Sequence, residues 1–211
     1  LWYTALWRDR VLMRSLNNSL YVAIVTTVLS VILGTGGAWL LYRYRFPSLR
    51  RVQTLVFIPM IIPEVIMGVS LLILFVVLQV ELGYTTIIVS HVTFCFPFVM
   101  VAVQAPLARL HPSLEEAALD LGATPVQAFV KVLIPYLMPA IVSGALMSFT
   151  LSLDELIVTY FTASAGTRTL PLEIFGRVKK GLDPTLNAIS TVFILATVML
   201  VVITEFLKRR R

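Results

Sequence analysis

The sequence predicts an all-α membrane protein, because of its composition and the lengths of its apolar segments. Of its 211 residues, 58% are hydrophobic and only 13% are charged, whereas about 25% of residues are charged in a typical soluble domain. Five apolar segments have the length of about 20 residues with which a helix crosses the hydrocarbon core of a bilayer. One polar stretch, about 108–138, separates the third segment from the fourth and contains helix-capping residues. We therefore expect a single transmembrane domain, residues 1–211, with one structured loop outside the membrane.

Some of the predicted spans contain residues that affect helix packing or interrupt the helix. They cover about residues 19–42, 53–80, 86–107, 139–162 and 186–207. In the first span, Ser30, Gly34 and Ala38 recur every four residues, so a second helix can approach that face closely. The second span contains Pro59 and Pro63, which remove backbone donors and interrupt the helix.

Basic residues indicate how the spans are oriented. Four arginines lie between residues 43 and 51, and residues 208–211 are all basic. Such clusters mark the cytoplasmic side, so we expect the C-terminus in the cytoplasm and, with five spans, the N-terminus outside. A sixth span is then expected before Leu1 in the full-length protein. The formal net charge of +6 is better explained by topology than by nucleic-acid binding, because the basic residues lie at the ends of apolar segments.

No pattern of residues indicates a catalytic or metal site. Cys95 is the only cysteine and follows His91 by four residues, but two ligands on one helix face make a poor zinc site. We expect His91 to be a buried, hydrogen-bonded residue instead. The sequence has no G-x-S-x-G hydrolase elbow and no G-x-x-x-x-G-K-[ST] phosphate loop. If ATP drives the function of this chain, another subunit must hydrolyse it.

The polar stretch is predicted to form two short helices. Ser113 can cap the first helix and Glu116 can reach back to it, in an S-x-x-E capping box. Gly122 supplies the left-handed residue at which a helix ends. Thr124 then caps a second helix, and Gln127 completes a second capping box.

The first of these short helices has one apolar face. That face comprises Leu114, Ala117, Ala118 and Leu121. Glu115 and Asp120 are predicted to lie on other faces. A small amphipathic helix that protrudes from a membrane domain can dock into a groove on a soluble partner. The alternative is a simple cytoplasmic connector between two spans.

Three carboxylates fall inside predicted spans: Glu64, Asp154 and Glu155. Each costs about 2.5–3.5 kcal/mol to insert, so an ionisable residue there is a functional candidate by default. Without a lysine or arginine in the same spans, carboxylates together with the aromatic rings of Tyr160 and Phe161 favour an organic cation. Asp154 and Glu155 lie about 100° apart on a helix, so both can hardly face one narrow pathway. Packed, hydrogen-bonded or protonated carboxyl groups are the alternative for all three.

The spacing within the polar stretch resembles a family pattern. Glu116-Ala117-Ala118 is followed after three residues by Gly122 and after nine more by Val132-x-Ile134-Pro135. This resembles the EAA loop of ABC-importer permeases, with Val132 and Ile134 in place of isoleucine and leucine. Residues 42–46, 63–67, 90–99, 116–123, 148–155 and 170–175 also look like the spermidine/putrescine permease subunits of the C type. The resemblance covers essentially the whole chain.

The resemblance implies a fold, a mechanism and a set of partners. The fold is the MetI-like permease fold, with six spans in the full-length protein and a cytoplasmic coupling helix. The partners are a second, homologous permease, two ATPase subunits that dock on the coupling helix, and an extracytoplasmic binding protein, in a bacterial inner membrane. ATP and Mg²⁺ would be bound by the ATPase, so no cofactor is expected on this chain.

Two sets of site residues follow. The residues that the resemblance assigns to ATPase coupling are Ser113, Glu116, Ala117, Ala118, Leu121, Gly122 and Pro135. The candidates for the substrate pathway are Glu64, Asp154, Glu155, Tyr160 and Phe161, and the expected substrate is a polyamine.

Three other interpretations remain. The chain can be an importer permease for another small solute, since related permeases share much of the pattern. It can be a channel or receptor-like membrane protein whose loop binds a scaffold. It can also be an intramembrane enzyme that uses Glu64, Asp154 and His91, which would turn over substrate without ATP.

Overall fold

The computed structural model describes residues 8–44, 47–111 and 113–181, together with residues 190, 191, 194, 195, 198, 199 and 202. All regular secondary structure in this part of the chain is helical. The α-helices with defined bounds are α1 (Arg10–Arg43), α2 (Pro47–Phe57), α3 (Glu64–Val77), α4 (Tyr84–Leu107), α5 (Ser113–Asp120), α6 (Pro125–Ala128), α7 (Ile134–Asp154), α8 (Ile157–Thr162) and α9 (Leu170–Lys180). A 3₁₀ turn at Ile58–Met60 follows α2, and a π turn at Phe129–Leu133 joins α6 to α7.

Three helical stretches within the described residues are long and apolar enough to cross a bilayer. They are α1, α4 and the continuous stretch Pro125–Asp154, which comprises α6, the π turn and α7. A fourth candidate consists of Arg51–Met60 and Glu64–Val77, which are bent by 108° at the break between them. Apolar helices therefore occur where the first four spans are predicted. The predicted fifth span, about 186–207, lies almost entirely outside the described residues.

Helix α1 begins nine residues before the predicted start of the first span. The Asp9 carboxylate accounts for the difference, because its Oδ1 accepts hydrogen bonds from the backbone N–H groups of Val11 (3.0 Å) and Leu12 (3.1 Å). A side-chain oxygen in this position satisfies donors that the first helical turn leaves free. Polar residues before the span are thus part of the same helix.

The predicted interruption of the second span is confirmed. Pro59 lies in the 3₁₀ turn, and Pro63 precedes α3 in extended backbone with φ −55° and ψ 133°. The proline ring fixes φ and supplies no N–H, which disfavours an uninterrupted helix at this point. The fourth predicted span also differs from a single helix: α7 ends at Asp154, and α8 starts only at Ile157.

The chain forms two compact units. The first contains residues 1–26, 62–92 and 149–211, and in its described part α3 packs against α8. Gly68 makes this contact possible, because a Cβ atom there would lie 2.7 Å from Cδ2 of Phe161. Thr86 on α4 donates a hydrogen bond of 2.7 Å to the carbonyl of Thr162. Buried Leu12 and Leu170 form a small apolar cluster in the same unit.

The second unit contains residues 27–61 and 93–148. Its apolar core consists of Ala38, Val99, Met100, Val103, Leu107, Leu110, Leu133 and Leu137. The small residues of α1 pack closely on α4, since a Cβ atom at Gly34 would lie 2.8 Å from the carbonyl oxygen of Phe96. The predicted close approach to the face with Ser30, Gly34 and Ala38 is therefore confirmed.

Candidate functional site

The predicted short helix of the polar stretch is α5, but its first cap differs from the prediction. Ser113 is the first helical residue, and its hydroxyl oxygen lies 2.7 Å from Nδ1 of His111. The N–H of Leu114 donates to the carbonyl of His111 at 3.2 Å. The prediction that Ser113 and Glu116 form a capping box is wrong, because the helix begins one residue earlier and His111 interacts with the Ser113 side chain.

The end of α5 and the start of α6 agree with the prediction. Gly122 has a φ of +87°, in the left-handed region that favours glycine. The N–H of Gln127 donates to Oγ1 of Thr124 at 3.3 Å, and the N–H of Thr124 donates to Oε1 of Gln127 at 2.9 Å. This reciprocal pair is the second capping box, with Pro125 as the first helical residue. A rigid bend thus connects the two short helices.

The apolar face of α5 lies on the surface of the protein. Leu114 is 45% exposed and Leu121 is 89% exposed, Ala117 is exposed, and Ala118 is half-buried. Glu116 is also exposed. A helix that presents leucine side chains to its surroundings in this way has an apolar face available for a partner.

Glu115 is the buried residue of α5, with 6% of its surface exposed. Its Oε1 accepts a hydrogen bond of 2.5 Å from Nη1 of Arg43, the last residue of α1. Sequence analysis placed Glu115 away from the apolar face but missed this ion pair. No local pattern could have revealed it, because the two residues are 72 positions apart.

The π turn before α7 directly precedes Pro135, the second residue of α7. Because proline has no N–H and its ring crowds the carbonyl four residues earlier, the α-helical bond from residue 135 to Lys131 cannot form. The chain widens instead, and the N–H of Ile134 reaches the carbonyl of Phe129, five residues back. Pro135 itself is exposed. Trp39 stacks on Phe129 with ring centroids 4.4 Å apart, which packs this turn against α1.

The three carboxylates predicted inside spans lie at the ends of broken helices. Glu64 is the first residue of α3 and Asp154 is the last residue of α7, and both are exposed. Glu155 lies in the break between α7 and α8. Both Glu64 and Asp154 are close enough to interact electrostatically with Glu155. The two breaks therefore bring Glu64 and Asp154 within electrostatic range of Glu155.

Glu155 differs from the other two carboxylates because it is buried and accepts a hydrogen bond from a backbone N–H group. It is 6% exposed, and its Oε1 accepts a hydrogen bond of 2.7 Å from the N–H of Val158 in the first turn of α8. This bond stabilises the start of α8, whose N-cap residue, Leu156, has no side-chain acceptor. Glu64 and Asp154 keep exposed carboxylates, as expected if only one member of the acidic pair faces a pathway.

His91 is buried and hydrogen-bonded, as predicted. It has no exposed surface, and its Nδ1 and Nε2 lie 2.8 Å from Oγ of Ser152 and Oγ1 of Thr159. These hydroxyls belong to α7 and α8, so His91 on α4 holds both sides of the break that carries Asp154 and Glu155. The sequence offered no signal for this arrangement beyond the polar residues themselves.

Cys95 is buried one helical turn after His91. Its Sγ lies 3.7 Å from the carbonyl oxygen of Ser148. Within the described residues, no three His, Cys, Asp or Glu side chains are grouped so that they could hold a metal ion.

The two aromatic candidates are adjacent on α8 and play different roles. Phe161 packs against Gly68, as described above. Tyr160 is 55% exposed and meets Phe161 edge-to-face, with ring centroids 5.4 Å apart at an angle of 84°. Tyr160 is therefore the ring that a cation could approach.

A second charged cluster links the start of α1 to α9. Nη1 of Arg177 donates to Oδ2 of Asp9 at 2.7 Å, and its Nε donates to Oε1 of Glu173 at 2.9 Å. The hydrogen bond from Arg177 holds the pKa of Asp9 below its ordinary value. The same bond raises the pKa of Arg177. Sequence analysis did not single out this cluster, whose outer members are 168 residues apart.

The amino-acid sequence of this chain is similar to known membrane transport proteins. The family described as binding-protein-dependent transport system inner membrane component matches residues 26–210. The spermidine/putrescine transport system permease protein PotC of Haemophilus influenzae is 39% identical over 209 residues, which cover 99% of this chain and 81% of that protein. The putrescine transport system permease protein PotI of Escherichia coli K12 is 40% identical over 200 residues, which cover 92% of this chain and 71% of that protein.

Solved structures resemble the fold as well. An inward-facing form of the MetNI methionine ABC transporter matches with a TM-score of 0.77 and 22% identity, over 94% of this chain and 95% of that chain. A bacterial ABC transporter that imports the acidic polysaccharide alginate matches with a TM-score of 0.75 and 16% identity, over 99% of this chain and 78% of that chain. The prediction of an all-helical, MetI-like permease fold is confirmed by these likenesses.

Proposed function

The chain belongs to the family of inner membrane components of binding-protein-dependent transport systems, and we propose that it forms part of the path by which an ATP-driven importer takes up polyamines. It is a multi-pass membrane permease subunit and not an enzyme. The substrate class is the one named for its relatives, whose names give spermidine and putrescine. The chain's own residues support the same substrate.

The observation that carries the proposal is the placement of Glu64 and Asp154. Both carboxylates are exposed, and each stands at a helix end beside a break in a predicted span. Broken helices are tolerated at membrane depth where they line a water-filled cavity. A carboxylate in such a cavity can bind a protonated amine through a charge-assisted hydrogen bond.

The charge around these carboxylates suits a cation that carries more than one amine. Helices α3, α4, α7 and α8 contain no lysine or arginine, so Glu64 and Asp154 are not neutralised from these helices. Glu155 is buried, and its Oε1 caps α8 instead of facing the cavity. Tyr160 offers a ring face for the cation–π attraction of an alkylammonium group. An anion would be repelled by this arrangement, and a neutral solute would gain no charge attraction from it.

The exposed face of α5 supports docking of an ATPase subunit. Leu114 and Leu121 present apolar surface there, and Gly122 with the second capping box fixes the bend that follows. A helix seated in a groove of the ATPase would move with it when ATP binds. In this proposal ATP and Mg²⁺ are bound by the ATPase and no cofactor is bound by this chain. The coupling residues are Ser113, Glu116, Ala117, Ala118, Leu121, Gly122 and Pro135.

The complete importer would contain further subunits besides this chain. A second, homologous permease completes the pathway, two ATPase subunits dock in the cytoplasm, and an extracytoplasmic binding protein delivers the polyamine. The chain crosses the inner membrane with its C-terminus in the cytoplasm, as residues 208–211 indicate by the positive-inside rule.

Uptake of labelled putrescine by cells that carry single variants tests the substrate. We expect Glu64→Gln and Asp154→Asn each to lower uptake by roughly ten- to a hundredfold, because a hydrogen bond to a charged group contributes about 1.5–3 kcal/mol. Glu81→Gln is the matched control, since Glu81 is an exposed acid outside the described helices. Unchanged putrescine uptake by both variants, at wild-type protein levels, would refute the assignment of the pathway.

A further inference from the structure

A basic pocket lies between the start of α1 and the segment that leads into α9. Its volume is about 200 Å³, and three arginines line it: Arg10, Arg14 and Arg168. Buried Ser15 and Asn18 contribute to its wall. None of these residues takes part in the carboxylate cluster or in the coupling helix.

The backbone around the pocket is held in place by three hydrogen bonds. Nδ2 of Asn18 donates to the carbonyl of Arg168 at 2.8 Å, and the hydroxyl of Tyr84 donates to Oδ1 of Asn18 at 2.6 Å. The N–H of Leu170 donates to Oγ of Ser19 at 2.7 Å. Because the segment is already fixed to α1, a ligand would not have to order it on binding.

The pocket keeps an excess of positive charge. Arg10 and Arg14 lie one helical turn apart, and neither forms an ion pair with any residue in the described part of the chain. Glu173 is the acid in the lining. Its Oε1 bonds to Arg177 at 2.9 Å, and its Oε2 is 3.8 Å from Arg168. One carboxylate shared between two arginines does not neutralise the three arginines of the pocket.

We propose that this pocket binds an aspartate or glutamate side chain of the soluble binding protein that delivers the substrate. The inference rests on the proposed function: if the predicted spans alternate back from a cytoplasmic C-terminus, the start of α1 and the segment before α9 lie outside the cytoplasm. Guanidinium groups bind carboxylates in bidentate geometry. A protein that captures a polycation also carries negative potential around its binding cleft, so its docking face is complementary to three clustered arginines.

The distance of Arg10 from the hydrocarbon core of the membrane favours a soluble partner over a phospholipid headgroup. The predicted first span begins near Ser19, five residues after Arg14 and nine after Arg10. At a rise of 1.5 Å per residue, the two arginines stand about 8 Å and about 14 Å beyond that point along α1. The headgroup layer on each side of the hydrocarbon core is only about 5–8 Å thick. The backbone of Arg10 therefore lies beyond the headgroup layer, and the backbone of Arg14 lies at its outer edge.

Binding of the purified binding protein to the assembled transporter in phosphatidylcholine nanodiscs tests the inference. We expect the double variant Arg10→Glu, Arg14→Glu to raise Kd by about tenfold or more at low salt, and the difference from wild type to shrink at high salt. Lys179→Glu is the matched control, because Lys179 is exposed, carries the same charge and does not line the pocket. Its Kd should stay within about twofold of wild type.

A zero-length cross-link identifies the partner group directly. Arg14→Lys keeps the positive charge and allows a carbodiimide to join its amine to a carboxylate in contact with it. We expect a new adduct between residue 14 and an acidic side chain of the binding protein, identified by mass spectrometry and absent from the wild-type complex.

The outcomes separate this inference from the proposed function. If the binding protein binds wild-type transporter and the double variant equally well, the pocket assignment is wrong while the importer stands. If the double variant differs from wild type only in nanodiscs that contain phosphatidylglycerol, the occupant is a lipid phosphate and the inference is likewise overturned. If the binding protein does not bind wild-type transporter at all, the proposed function itself fails.

Discussion

Arg43 at the end of α1 and Glu115 in α5 form an ion pair with an N–O distance of 2.5 Å. The Glu115 side chain is only 8% exposed and the Arg43 side chain 28% exposed, so water screens this pair less than a pair on the open surface. The exposed face of α5 is free for a partner, while Glu115 attaches the helix to α1. A displacement of α5 would therefore be transmitted to a membrane-crossing helix through this contact.

Charge reversal of Arg43 and Glu115 tests whether this pair transmits a movement of α5 to α1. We expect Arg43→Glu and Glu115→Arg each to lower ATP-driven uptake by roughly tenfold or more, because each variant leaves a shielded charge facing a like charge. The double variant should recover a large part of the activity, since residues in direct contact show coupling energies of about 0.5–3 kcal/mol. Uptake and ATP hydrolysis are measured on the same preparations. Additive losses in the double variant would show that the pair does not transmit movement.

A charge on the exposed face of α5 should separate ATP hydrolysis from transport. Ala117→Asp places a carboxylate on the face that we assign to the ATPase groove, where burying an unpaired charge costs several kcal/mol. We expect uptake to be abolished and less ATPase subunit to co-purify with the permease. Ala117→Ser is the conservative control. Normal uptake by Ala117→Asp would argue against docking at this face.

Gly122 should be replaceable only by a residue that tolerates its backbone conformation. Its φ is +87°, and a Cβ atom there would meet no atom within 4 Å. The penalty is therefore conformational and not steric, on the order of 1–3 kcal/mol for an ordinary residue. Gly122→Leu should abolish uptake, whereas Gly122→Asn should retain most of it because asparagine visits this region more readily. Equal uptake by the two variants would show that the bend is not essential.

The ion pair between Asp9 and Arg177 predicts a dependence of stability on pH. The pKa of Asp9 is lowered in the folded protein, so its contribution is present above the unfolded pKa of about 3.9 and is lost as pH falls through the folded value. Because the Asp9 side chain is 25% exposed, we expect about 1 kcal/mol or less. Thermal unfolding of wild type and Asp9→Asn is compared from neutral to acidic pH.

The difference in melting temperature between wild type and Asp9→Asn should be largest near neutral pH and vanish in acid. A difference that stays constant across this range would show that the folded protein does not stabilise the ionised form of Asp9.

Features set by local chemistry could be predicted from the sequence. The break at Pro59 and Pro63 was predicted because two prolines four residues apart both lack the N–H that a helix uses. The second capping box, Thr124 with Gln127, needs only two residues three apart. Gly122 marked a helix end for the same reason.

Features set by tertiary contacts could not be predicted in this way. The break after Asp154 contains neither proline nor glycine, and its stability depends on Glu155 and on His91 from a different helix. The predicted capping box of α5 does not form because the helix already begins at Ser113, whose hydroxyl interacts with His111. The partner of Glu115 lies in a different helix, which periodicity within α5 cannot reveal.

The central claim is that this permease transports polyamines with energy from ATP that a separate ATPase subunit hydrolyses. The most direct measurement is the initial rate of labelled putrescine uptake into proteoliposomes that contain the assembled transporter and its binding protein. We predict uptake that requires ATP and the ATPase subunit and that excess spermidine inhibits while excess methionine does not. Uptake of neither polyamine, while another solute is accumulated at the same ATP concentration, would contradict the account.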